Sequence, residues 1–190
     1  MLERPELYFP RDVEWRAWLQ NNYNNFPNGV YLIFYKLENN QPSMRWEEAV
    51  KVALCFGWID STVKSLGHGK RQQYFCPRRK KSPWSALNKS YIKELKAKGL
   101  IHESGWQSIE RAKEDGSWTM MDAVENGIIP DDLKRAFSKH ENAFKNYEAF
   151  SKGYKKSYLS WLNSAKREAT RQKRITQIIN LCEANIKTRS

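Results

Sequence analysis

Cysteine and histidine are scarce in this chain, and acid is in deficit. Its 190 residues include three cysteines, Cys55, Cys76 and Cys182. They are odd in number, widely spaced and outside any CxxC pattern, which argues against a disulfide framework or a structural zinc site and for reduced thiols. The three histidines, His68, His102 and His140, are scattered, so no metal centre is expected. No run approaches the roughly 18 consecutive apolar residues that a membrane-spanning helix needs. The start, from Met1 to Tyr8, lacks a basic stretch followed by an apolar one, so no secretory signal is read there. Internal repeats and low-complexity runs are absent too. The expectation is a cytoplasmic protein with no membrane span and no cofactor.

What is present is positive charge and aromatic surface. Lysine and arginine number 33 against 21 acids, a net charge of +12, and the chain carries eight Trp, nine Tyr and eight Phe. The charge is uneven. Between Lys64 and Lys98 stand eleven bases and one acid, Glu94; residues 151–190 hold ten bases and two acids. The rest of the chain is therefore net acidic and can neutralise part of this charge internally. A field of this strength attracts anions.

The periodicities predict an α+β fold. A helix from Asp12 carries Val13, Trp15, Trp18 and Leu19 at helical spacing, and a second runs to Phe56 with Gly57 as its stop. Continuous apolar or alternating runs at 30–35, 58–63 and 70–76 predict three strands, the last two joined through Gly67-His68-Gly69. The first two flank a helix, which suggests that they are parallel in a small mixed three-stranded sheet covered by helices. Ser82-Pro83 has the form of an N-cap followed by proline at N1, and Ser104 to Gln107 that of a capping box. From Pro130 onward every apolar pattern is helical. The domain reading is an α+β domain over 1–118, a linker within 117–129, and a C-terminal helical segment over 130–190 packed on that domain.

Several strings carry a family resemblance: LCFGWID at 54–60, YFCPRRKKSPWS at 74–85, DGSW at 115–118, PDDL at 130–133 and AKREATR at 165–171. In that order, from about Asp12 to Asn185, they resemble the YdeI/OmpD-associated family, also labelled bacteriocin-protection proteins. The resemblance implies a role in protection against bacteriocins or cationic peptides, and it brings no catalytic residues. Direct capture of a cationic peptide is physically unattractive for a chain at +12.

The candidate site residues follow from charge and geometry. Arg78 and Arg79 stand just before the helix expected at Ser82, where guanidiniums and free helix amides would suit a phosphate or carboxylate. Arg71 would join them, with Trp58 and Trp84 as pocket walls. Trp58 and Asp60 share a face if 58–63 is a strand. Asp60 is either the structural partner of an arginine or a general base. Cys76 adjoins the basic cluster, where cations favour a reactive thiolate. Arg167, Arg171 and Arg174 share a helical face; Lys166, Arg171 and Arg174 either complete the anion site or pair with the acidic remainder. The resulting expectation is an anion-binding accessory protein whose partner bears phosphate or carboxylate. The alternative is a nucleic-acid-binding module using the basic segments 64–98 and 151–190, with bases stacked on Tyr74, Phe75 or Trp84. An enzyme using Asp60 or Cys76 ranks below both.

Overall fold

The computed structural model describes residues 4–189; the first three residues of the start read above for a signal lie outside them. The chain divides into two compact units, Met1–Thr119 and Met120–Ser190. No helix among the described residues is long and apolar enough to cross a membrane.

The first unit is built on four strands, not three. They are β1 (Glu6–Tyr8), β2 (Val30–Tyr35), β3 (Trp58–Gly67) and β4 (Lys70–Pro77), in the order β1-β2-β4-β3. The sheet is mixed, as expected, but its parallel pair is β1 with β2. Strands β2 and β3 run the same way, yet each pairs antiparallel with β4 between them. β1 has only three residues, set between Pro5 and Pro10. Three residues contain no readable period; the strand forms because β2 offers an edge, with the Tyr31 N–H donated to the Pro5 carbonyl at 2.9 Å.

Side-chain alternation sorts the sheet into two faces. Leu32, Phe34 and Phe75 point to a core shared with Trp15 and Leu19 of α1 (Asp12–Asn22) and with Ala49, Val50, Ala53 and Leu54 of α2 (Trp46–Cys55). Each fully buried Leu or Phe contributes about 2 kcal/mol to stability. The helices α3 (Ala86–Ala97) and α4 (Glu103–Glu114) complete this core through Tyr91, Ile92, Leu95 and Ile109. Gly105 of α4 lies against the end of α2 so closely that a Cβ there would stand 2.2 Å from the Cys55 carbonyl oxygen.

Helix α3 (Ala86–Ala97) begins three residues later than Ser82-Pro83 suggests. Ser85 is the N-cap, its Oγ accepting the Asn88 N–H at 3.2 Å. The segment before it is held out of the helix by tertiary bonds at both ends and a turn between them: Arg111 Nη2 donates to the Arg78 carbonyl at 2.9 Å, the Ser82 N–H to the Arg79 carbonyl at 3.2 Å, and the Trp84 N–H to the Ser117 carbonyl at 3.4 Å. Leu87, which stands at helical spacing with the buried Tyr91 and Leu95, is exposed in the first turn. Helix α4, by contrast, starts earlier than the Ser104 signature implies, with His102 Nδ1 as the capping acceptor for the Ser104 N–H.

The second unit is helical throughout: α5 (Asp122–Glu125), α6 (Asp131–Phe137), α7 (Glu141–Ala149), α8 (Lys152–Asn163) and α9 (Glu168–Glu183). Its core gathers Leu133, Tyr147, Tyr158, Leu162, Ile178 and Ile179.

Candidate functional site

One end of the sheet carries a cleft of about 1060 Å³. Its construction begins at the β3–β4 turn. Gly67 and Lys70 are paired, so His68 and Gly69 are the two turn residues, with φ of +47° and +66°. Two positive φ values in a two-residue loop define a type I′ turn, whose twist matches that of the strands it joins. The turn is stapled to the chain leaving β2: the Lys36 N–H donates to the Gly69 carbonyl at 2.9 Å, and Asn39 Nδ2 to the His68 carbonyl at 2.7 Å. A Cβ on Gly69 would lie 2.1 Å from Asn39 Oδ1, so the position demands glycine for both conformation and space.

The opposite wall is the start of α2. Glu48 Oε2 accepts the Arg45 N–H at 2.6 Å and fixes the helix entry. Behind the wall, Trp46 Nε1 donates to Asp60 Oδ2 at 2.9 Å, and Gln73 Nε2 donates to the same oxygen. Asp60 thus positions the indole that lines the cleft.

Charge in the cleft is only partly balanced. Arg11 pairs with Glu14, and Lys36 with Glu38. Arg45, Lys70 and Arg71 also line it and have no carboxylate partner among the described residues. The Arg71 guanidinium lies 5.2 Å from the Phe34 ring centroid. The lining as a whole sets five cations against Asp12, Glu38 and Glu48, and this positive balance beside Trp46 and Tyr35 makes a surface suited to an anion with a planar or apolar body.

The YFCPRRKKSPWS string forms a separate structure. Arg78 is 5% exposed, and its guanidinium carbon lies 3.7 Å from the Trp84 ring centroid. Its Nη1 reaches the Pro83 carbonyl at 3.2 Å and Ser82 Oγ at 3.4 Å, while Nε is buried without a partner. Burial pulls its pKa below the ordinary arginine value, with the Asp60 carboxylate pulling back. Arg79, Lys80 and Lys81 point the other way, around a pocket of about 420 Å³ on the opposite face of the sheet, which also holds Tyr74 and Cys76 and has no carboxylate in its lining. Asp115 secures this loop from behind, accepting the Lys81 N–H at 2.8 Å and the Ser117 N–H at 2.9 Å. The Ser117 side chain, together with these backbone donors, holds the Asp115 carboxyl below the usual carboxylate range. The DGSW string therefore meets the YFCPRRKKSPWS string in space, and Trp84 and Trp118 pack at 5.0 Å.

The expected clamp does not assemble around one ligand. Arg71 lines the first cleft, Arg79 the second pocket, and Arg78 is internal. The amides expected to open the helix at Ser82–Ser85 lie ahead of it, since Ser85 is the N-cap. Trp58 and Trp84 are 1% exposed and belong to the core; Trp58 Nε1 donates to the Tyr23 carbonyl at 3.1 Å. Asp60 has neutral donors, Trp46 and Gln73, in place of the arginine partner expected for it, because Arg78 turns to Trp84 and Arg71 to Phe34.

In the helical unit Arg171 forms a two-point pair with Asp132 through Nε and Nη2, the latter at 3.0 Å. Arg174 donates to the Trp161 carbonyl and, at 2.7 Å, to Ser164 Oγ. Both guanidiniums are engaged inside that unit, whereas Lys166 is exposed. Arg45, Lys70 and Trp46 were not singled out from the sequence. Lys70 and Arg71 stand in the basic run, but nothing local signals that Arg45 faces them across the cleft.

Comparison with known proteins divides the chain at nearly the same place. A family model described as Domain of unknown function (DUF8412) matches residues 7–108. A second, described as Bacteriocin-protection, YdeI or OmpD-Associated, matches residues 126–185, so the motif resemblance is upheld for the helical segment and not for the whole chain. No curated protein and no solved structure matches.

Proposed function

The chain belongs to the DUF8412 family, and on that premise we propose that it is an anion-binding protein whose ligand is a small molecule bearing phosphate or carboxylate, held in the cleft between the β3–β4 turn and α2. The observation that carries this reading is the cleft's positive balance: five cations line it against Asp12, Glu38 and Glu48, and of the cations Arg11 and Lys36 have ion-pair partners whereas Arg45, Lys70 and Arg71 do not. Unpaired cations in a concave site are what an anion requires, and arginine binds carboxylate or phosphate at two points. Tyr35 and Trp46 supply the apolar contact that favours a ligand with a ring over a bare ion.

The role is binding and not turnover. Asp60, the carboxylate weighed as a general base, is engaged in holding Trp46 and Gln73, and of the cleft's own acids Glu38 pairs with Lys36 and Glu48 accepts the Arg45 N–H. The three free cysteines suit a reducing compartment, which supports a cytoplasmic location. A protective role of the kind in the second family's description would run through the bound anion, since a chain at +12 repels cationic peptides.

Titration with phenyl phosphate, inorganic phosphate and citrate tests the assignment. Phenyl phosphate is expected to bind more tightly than inorganic phosphate and to quench a fluorescence component that Trp46→Phe removes. Arg71→Gln is expected to weaken binding about tenfold, the loss of one charged hydrogen bond. Undiminished affinity in an Arg45→Gln, Arg71→Gln double variant would refute the site.

A further inference from the structure

The sheet face opposite the core carries a second feature, distinct from the cleft. Alternation along β2 and β4 places Tyr31 and Tyr74 there, directly paired in register, with ring centroids 5.5 Å apart and planes inclined at 52°. The Tyr74 hydroxyl donates to the Asn28 carbonyl at 2.6 Å, which fixes that ring. The Arg4 guanidinium stands 4.7 Å from the centroid of Tyr74, and its Nη1 is 3.5 Å from the Tyr31 hydroxyl. Tyr74 is also part of the pocket formed with Arg79, Lys80 and Lys81. Lys64, opposite Gln72, falls on this face by register, and Glu6 of β1 is its acidic member.

The loop bearing the three cations is held in place before any ligand arrives. Arg111 grips the Arg78 carbonyl and Asp115 grips the Lys81 N–H. Lys81 has φ of +59°, a conformation that costs energy for a residue with a long side chain and persists only where the surroundings impose it. The backbone that carries the cations is therefore fixed beside the aromatic pair, with their exposed side chains reaching solvent.

We propose that this face binds single-stranded nucleic acid, with backbone phosphates at Arg79, Lys80 and Lys81 and bases against the Tyr74 and Tyr31 rings. Charge complementarity selects a polyanion. The aromatic pair next to the cations selects one with planar groups free to stack, which single strands have and duplexes do not. A purely acidic peptide would use the cations and leave the tyrosines idle.

The test is fluorescence anisotropy with labelled dT15 and rU15 at 50 mM salt, against a duplex of equal length, heparin and poly-glutamate. Both single strands are expected to bind, with log K falling against log salt by about 0.7 per phosphate contacted. Lys80→Gln with Lys81→Gln should weaken binding and flatten that slope by more than one. Tyr74→Leu should weaken binding 5- to 100-fold at unchanged slope, about the effect of losing one stacked base, whereas Tyr74→Phe should bind as the parent does. Should Tyr74→Leu fail to fold, the exposed lysine pair and Tyr31→Leu carry the same test. Absence of binding at 50 mM salt overturns the proposal. So does equal binding of duplex, heparin or poly-glutamate with no effect of the tyrosine substitutions. Arg45→Gln with Arg71→Gln should leave dT15 binding unchanged; loss of binding in that variant places the strand in the cleft and overturns the assignment to this face.

Discussion

The Arg78 guanidinium rests 3.7 Å above the Trp84 ring, and no carboxylate among the described residues lies within ion-pair distance of it. A buried cation is ordinarily held by an opposite charge. Here an aromatic face, the Pro83 carbonyl and Ser82 Oγ take that place. The arrangement depends on a flat, delocalised and weakly hydrated ion.

Arg78→Lys should therefore destabilise the first unit more than Arg78→Met does. A lysine ammonium is compact, strongly hydrated and unable to stack, so burying it there costs about 2 kcal/mol or more. Methionine fills a similar volume without a charge and leaves only the lost hydrogen bonds. Urea denaturation of the two variants gives the order directly, and a reversed order would contradict this account of the Arg78–Trp84 stack.

The pair between Arg171 and Asp132 makes the helical unit sensitive to acid. Hydrogen bonds from Arg171 hold the Asp132 carboxyl below its ordinary range. In the unfolded chain the group titrates near 3.9, so the folded state binds its proton less readily. The stabilisation is complete above that value and disappears as pH falls through the lower folded one. Asp132→Asn should cost about 2 kcal/mol at neutral pH and should remove part of the stability loss below about pH 4. Denaturation of parent and variant at pH 3 and pH 7 measures both effects; a constant difference between them across that range would count against the pair.

Gly105→Ala should be costly despite its modest size. The new methyl group would meet the Cys55 carbonyl, an atom of the α2 backbone that cannot turn aside, and would disturb the bond from the His102 N–H to the same oxygen at 3.0 Å. Overpacking of this kind costs about 1–3 kcal/mol. A change within about 0.5 kcal/mol, typical of a neutral surface site, would show that α2 and α4 are less closely fitted than the structure has them.

Residues whose structure follows from near neighbours were readable in the sequence. Trp15 and Leu19 mark the buried stripe of α1, Gly57 ends α2, and Gly67-His68-Gly69 turns the hairpin. Where distant contacts decide, local signals mislead. Ser82-Pro83 has the chemistry of a helix start, but Arg111 and Ser117, roughly thirty residues further along, hold the segment in a non-helical loop. β1 exists because β2 has an open edge. The site shows the same division. The abundance of cations was plain, but whether a given arginine faces solvent, a tryptophan or an acid depends on neighbours from other elements. That is why Arg78 and Arg171 prove internal while Arg45, outside the basic run, lines the cleft.

The chain encloses two separate hydrophobic cores, one ending with Trp118 and the other beginning with Met121. A melting curve of the whole molecule is then a composite, with Gly105 and Arg78 governing one component and Asp132 the other. Calorimetry should register a lesion in either core as the displacement of one endotherm, so a single midpoint quoted for this protein would average over two unlike quantities.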